Sequence, residues 1–293
     1  MKKIYCLLLL ISIILFINCS NKKQKVNGIS ESKYSVYELN GNLIQSMEEK
    51  NYKNAAHWIS KGANPNLSYR NQSLLSYCTY KNITDLSKIL IEAGADINWV
   101  DPSDHVSVFS NVIFNNNLEL GKYFLSHNID LSYKDYSGFN YFEKSIFDKN
   151  DKENKFYNDY RFAYLLLQNS VMKKIVQEDK GTMYAIIRNW SSEMPSIIES
   201  IYGTDYIFPD SPPVILIAIT EIEIDAVKYF ISKNISTKKE YYEPDFNEYY
   251  TPLDFADFYY REIIHNSGRN SIYAKKIEDI CILLEKNKDN KWY

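Results

Sequence analysis

The chain has 293 residues, 45% of them apolar, which gives enough oily surface for a substantial core and excludes an intrinsically disordered protein. Its formal charge of −3 and the lack of any basic stripe exclude an ordinary nucleic-acid binder. Of four cysteines, none is placed to suggest a disulfide framework.

The first segment reads as an address. Lys2 and Lys3 precede an almost wholly apolar run from Ile4 to Ile17, which is too short for a spanning helix of roughly 20 residues. It fits the apolar region of a signal peptide, residues 1–18. Cys19 follows directly, and "FINCSN" resembles the lipobox of bacterial lipoproteins, with Asn18 and Phe16 standing where that motif prefers other residues. The resemblance implies cleavage before Cys19, lipidation of Cys19 and a membrane anchor. An uncleaved anchor, or cleavage by ordinary signal peptidase at a site lacking the small-x-small pattern, are the alternatives. Residues 19–36 are polar, rich in Ser, Asn and Lys, and read as a flexible tether.

From Tyr37 onward the chain repeats one kind of helix ending. Helical stretches stop at Gly62, Gly94, Asn128, Asn169, Asn234 and Asn287, and each has an apolar pair four and three residues earlier. Gly and Asn tolerate the left-handed backbone that satisfies a helix's last carbonyls. The endings are 32, 34, 41, 65 and 53 residues apart. The 41 holds a polar insertion, "DKNDKENKFYND". The 65 hides a worn repeat at Gly181 to Tyr202, expected as two short helices with a turn near Trp190 to Glu193. The 53 carries about 20 extra residues around Tyr259 to Ala274. In the "GADIN" unit, Leu86, Ile89, Leu90 and Ala93 share one helix face at 3 and 4 spacing.

The residues within the period resemble the ankyrin repeat. "TPLDFA", Thr251 to Ala256, keeps the start of the first helix, with Thr251 as N-cap and Pro252 as first helical residue. "DYSGFNYFEKS" keeps Asp135 and Gly138 and sets Phe142 at the Leu position. "SLLSYC" sets Cys78 at the small Ala position, and "GANPN" and "GADIN" match the repeat end. The motif His is replaced by Ser76, Glu143 and Asp254. The resemblance covers Tyr37 to Lys288. It implies an all-α helical solenoid of about six or seven repeats, some degenerate, filling residues 37–293. Such units cannot bury their apolar faces alone and stack to do so.

Function follows as an expectation. In the ankyrin family, projecting fingers and the first-helix surface form a concave face that binds proteins. By that resemblance, Tyr69, Arg70, Trp99, Asp101, His105, Tyr133 and Tyr136 are candidate partner contacts. The Tyr-rich stretch Lys238 to Tyr250 is either a solvated loop or a recognition loop. Cys78 and Cys281 read as small buried hydrophobes. His57, His105, His127 and His265 share no metal-ligand spacing. His127 fits a helix C-terminus, where a cation favours the dipole. Asp205 and Asp210 read as a solvated turn. No cofactor, metal or catalysis is expected, and the chain is read as a monomeric scaffold for an unidentified protein partner, exported across the inner membrane. The rivals are a lipoprotein enzyme with a site in residues 181–213, and a structural envelope lipoprotein.

Overall fold

Left-handed turn residues cut the chain into short helices, and the computed structural model describes residues 34–147, 159–179, 181–204, 213–243 and 246–287. The signal segment, Cys19, Asp205 and Asp210 lie outside the described residues. The described chain divides into two compact units at Asn64 and Pro65. The first holds α1 (Val36–Glu48) and α2 (Tyr52–Ser60). Its entry is fixed by a reciprocal cap: Ser35 Oγ accepts from the Glu38 N–H, while Glu38 Oε2 accepts from the Ser35 N–H at 2.7 Å.

The second unit holds the pairs α3 (Leu74–Tyr80) and α4 (Thr84–Glu92), α5 (Val108–Phe114) and α6 (Leu118–Leu125), and α7 (Tyr141–Ile146) and α8 (Arg161–Leu167). After α9 (Ser170–Glu178) come α10 (Gly181–Arg188) and α11 (Met194–Tyr202), α12 (Val214–Thr220) and α13 (Ile224–Ser232), and α14 (Pro252–Ser267) and α15 (Ile272–Asn287). First helices pack in one row, α3–α5–α7–α10–α12–α14. The fold is an ankyrin-like stack of helix pairs, and the worn repeat forms the two helices expected of it, with the turn where the sequence places it.

Four of the six endings close as read. Gly62, Gly94, Asn128 and Asn234 have φ of +101, +90, +41 and +63°. At Gly94, Ala95 N–H donates to the Leu90 carbonyl and Gly94 N–H to that of Ile91, so two otherwise orphaned carbonyls are satisfied. Asn169 is a correction. Its φ is −82°, and its side chain accepts from the N–H groups of Val171 and Met172, so it opens α9 instead of closing α8. The reading had no α9, although Met172 and Val176 supply a buried stripe at helical spacing. Asn287 ends α15 as its last helical residue. The extra residues near the C-terminus lengthen α14 and α15 to 16 residues each. Ala93 is a second correction: it is exposed, and Leu86, Leu90 and Ile91 carry the buried face of α4.

A second set of left-handed residues went unread. Asn82, Asn116 and Ile222, with φ of +58, +49 and +56°, end the first helices α3, α5 and α12. Packing follows from these turns. Phe109 on α5 stacks on Phe124 at 5.4 Å and meets Tyr141 edge-on at 4.9 Å, joining neighbouring repeats. Gly121 lets α6 approach α8, because a Cβ there would lie 2.7 Å from the Phe162 ring. Two short hairpins interrupt the all-helical pattern: β1 (Ser68–Tyr69) with β2 (Gln72–Ser73), and β3 (Tyr241–Glu243) with β4 (Glu248–Tyr250).

Candidate functional site: fingers and first-helix groove

Three fingers lead into α3, α5 and α7. The first turns through Arg70 and Asn71, both with positive φ (+53 and +67°), as a two-residue hairpin requires. Tyr69 points inward, is 3% exposed, and meets the Tyr77 ring edge-on at 4.7 Å. It anchors the hairpin, and its ring is not open to a partner as the sequence had suggested. Arg70 remains exposed at the lip, its guanidinium 5.3 and 5.9 Å from the Tyr69 and Tyr77 ring centres.

The second finger is closed by a bridge between Val100 and Ser107. Asp101 Oδ1 accepts from Ser103 Oγ and the Ser103 N–H, and these bonds hold its carboxyl below the usual range. Asp104 Oδ1 accepts from the Val106 N–H at 2.9 Å. Trp99 is half-buried and its carbonyl accepts from Val108; His105 is exposed at φ +56°. In the third finger the Tyr133 ring stacks on Tyr141 at 5.2 Å and its hydroxyl donates to the His105 carbonyl. Tyr136 stands 86% exposed, its ring 6.0 Å from that of His105. Asp135 accepts from the Ser137 and Phe139 N–H groups and pairs with Lys144 at 2.6 Å. Burial pulls the Asp135 carboxyl upward, but Lys144 and the Phe139 N–H keep it below its ordinary pKa.

Between fingers and first helices runs a groove of about 600 Å³. Arg70, Asp101 and Asp104 stand on its finger side, with Tyr80, Asn111 and Phe114 on its helix side. Of the sequence candidates it brings Arg70 and Asp101 together; Trp99, His105, Tyr133 and Tyr136 stay on the fingers outside its lining. Tyr80 and Phe114 were missed, although both end a first helix one period apart. Asn111 Nδ2 approaches Ser76 Oγ at 3.3 Å, tying α5 to α3 across the groove floor.

Burial pushes the Cys78 and Cys281 thiols up to about 12, with Asp257 adding to the effect at Cys281, so neither is a ready nucleophile. His127 Nδ1 lies 2.8 Å from the Tyr123 carbonyl in the last turn of α6. Among the described residues no group of three or more His, Cys, Asp or Glu could hold a metal ion, and no helix is long and apolar enough to cross a membrane. Most of the described part of the rival enzyme stretch, residues 181–204, is taken up by α10 and α11.

No protein-family model matches this chain, and no curated protein matches it in sequence. Solved structures do. The human ASB11 ankyrin repeat domain superposes with a TM-score of 0.50 at 12% identity, over 80% of this chain and 96% of that one. The chain thus has the ankyrin-like fold. The predatory endopeptidase Bd0816 of Bdellovibrio bacteriovorus in complex with immunity protein Bd3460 gives 0.40 at 12% identity, covering 81% of this chain and 97% of that one.

Proposed function

We propose that this chain is a non-catalytic scaffold that binds another protein in the groove between its fingers and first helices, and that a lipid on Cys19 holds it at a membrane. The groove carries the reading: charged, amide and aromatic groups stand exposed on a frame already locked by Asp101, Asp135 and Tyr133. A frame ordered beforehand loses little freedom on binding. The ankyrin fold is in general an interaction scaffold, which agrees with a binding role, though fold alone names no partner. The run from Ile4 to Ile17 before Cys19 supports export and anchoring, with the stack working as a monomer on the periplasmic or cell-surface side.

Two experiments test this. Affinity capture by the full chain from native membranes and periplasm is expected to enrich a defined protein, and Arg70→Ala with Phe114→Ala is expected to remove it; unchanged capture by the folded double variant overturns the groove. Labelled palmitate is expected in the wild type and absent from Cys19→Ala, and equal labelling overturns the anchor.

A further inference from the structure

The first-helix segments beginning at Ser73, Ser107 and Asn140 carry an aromatic residue at the same eighth place. These are Tyr80, Phe114 and Phe147, 34 and 33 residues apart. They are 50, 71 and 37% exposed, while the rest of each helix is largely buried. The row breaks after Phe147, because Arg188 and Thr220 hold that place in the segments beginning at Gly181 and Pro213, and an aromatic returns to it only at Phe258, in the segment beginning at Thr251. Tyr80 and Phe114 line the groove. Phe147 rests on Phe139 at 5.2 Å, and Phe139 occupies the place that the groove residues Val106 and Gln72 hold one and two repeats earlier. The exposed aromatic row therefore lies in the groove at Tyr80 and Phe114 and continues one repeat past its lining to Phe147.

The spacing of that row selects what can lie along it. Packed helices stand roughly 8–10 Å apart, which sets the step between successive rings. An extended strand repeats a side chain on one face every ~6.6 Å and drifts out of step. A polyproline II segment returns to the same face every three residues, about 9.3 Å, and keeps step. An amphipathic helix returns after about 10.5 Å, but its stripe also carries apolar side chains three and four residues on, which meet no exposed ring between the steps, since Ser76 and Asn111 there are buried and bonded to each other. A polyproline backbone has unbonded carbonyls, and the Gln72 amide and Tyr80 hydroxyl offer donors on the groove surface. Charge adds direction. Lys144 is committed to Asp135, and Asp101 and Asp104 outnumber Arg70, so the finger side favours a cation.

We infer that the groove takes a proline-rich segment in the polyproline II conformation, its prolines on Tyr80, Phe114 and Phe147 and a flanking Lys or Arg toward Asp101 and Asp104. This rests on the groove being the binding surface. The test is fluorescence anisotropy of the full chain with a labelled proline-only peptide ending in two arginines, beside the same peptide ending in two glutamates and a Leu/Lys peptide that forms an amphipathic helix. Saturable binding of the arginine peptide is expected. Phe114→Ala should weaken it roughly tenfold or more, and Asp101→Asn with Asp104→Asn, which keep the turn acceptors, should weaken it and remove its preference over the glutamate peptide. Preference for the helical peptide, or no binding of the arginine peptide while cellular capture still depends on Phe114, overturns the ligand class and leaves the groove standing. Arginine-peptide binding indifferent to Phe114→Ala overturns the inference, and capture that is also indifferent overturns the groove with it.

Discussion

The pair α3–α4 and the pair α12–α13 have the same shape and are held in different ways. In α3, Ser73 caps the first turn, and Asn115 of the following pair donates to the carbonyls of Thr79 and Tyr80. At the far end, Asn66 accepts from the Asp96 N–H at 2.7 Å and donates to the Gly94 carbonyl, and Asn98 accepts from Asp130 in the same manner at 2.8 Å. In α12 no side chain caps the helix, and Val214 to Ile219 is a run of six buried apolar residues. Early repeats are pinned by directional polar bonds and keep an open face; among the described residues α12 has no side-chain cap and rests on burial, while Lys233 of the later repeats reaches Glu199 at 2.9 Å. Directional bonds fix where one pair sits on the next, which a binding surface needs, whereas undirected burial gives strength without fixing a face.

The largest expected effect tests how far burial carries each region. Leu90→Ala and Leu216→Ala, both at fully buried sites, should each cost ~2–5 kcal/mol in denaturant unfolding. If burial dominates the later repeats, hydrogen exchange should show Leu216→Ala releasing α10 to α13 together, with Leu90→Ala loosening only its neighbours; equal spread would erase the contrast. Next comes Ser107→Ala. The Ser107 hydroxyl accepts from the Ser110 N–H and, at 3.0 Å, from the buried Tyr141 hydroxyl, so its loss should cost about 2 kcal/mol. A cost under half of that would mean that the polar bonds decorate the early repeats without holding them.

Third, Ile222 sits at φ +56°, a poor conformation for a branched side chain, where the early repeats place Asn82 and Asn116. Ile222→Asn should raise stability by up to about 1 kcal/mol, read as a higher melting temperature. The smallest effect concerns Glu143, which takes the motif His position on α7. Burial, with Asp179 nearby, raises its carboxyl pKa despite the Asn140 N–H bond. The folded state then holds the proton more tightly than the unfolded chain. That contribution to stability is present below the ordinary glutamate range and is lost as pH rises through the raised value. Glu143→Gln should flatten this fall in a series of melts across pH, and an unchanged slope would assign it to other groups.

How much was legible follows the same division. Gly62, Gly94, Asn128 and Asn234 announce their turns because few residue types tolerate that backbone. Asn169 misled because asparagine serves equally well as an N-cap, and only the chain after it decides which. Ile222 gave no signal, since burial around it overrides the local strain. Of the site, Arg70 and Asp101 were found through their place in the fingers. Tyr69 was misplaced because alternation within so short a hairpin does not say which face is inward. Phe114 and Tyr80 were not read, because their shared place one period apart at a helix end does not say that they are exposed.

The asparagine links between Asn66 and Asp96, and between Asn98 and Asp130, have a bearing on how such a chain can change over generations. Each joins an asparagine side chain to the backbone two residues before that asparagine's counterpart one unit further on. Duplicating or excising a whole unit recreates every link with a new neighbour, whereas inserting a single residue between the two asparagines misaligns all that follow. Viable variants should therefore differ in length by complete units, or by insertions such as the one before Asp159, which lies beyond both links.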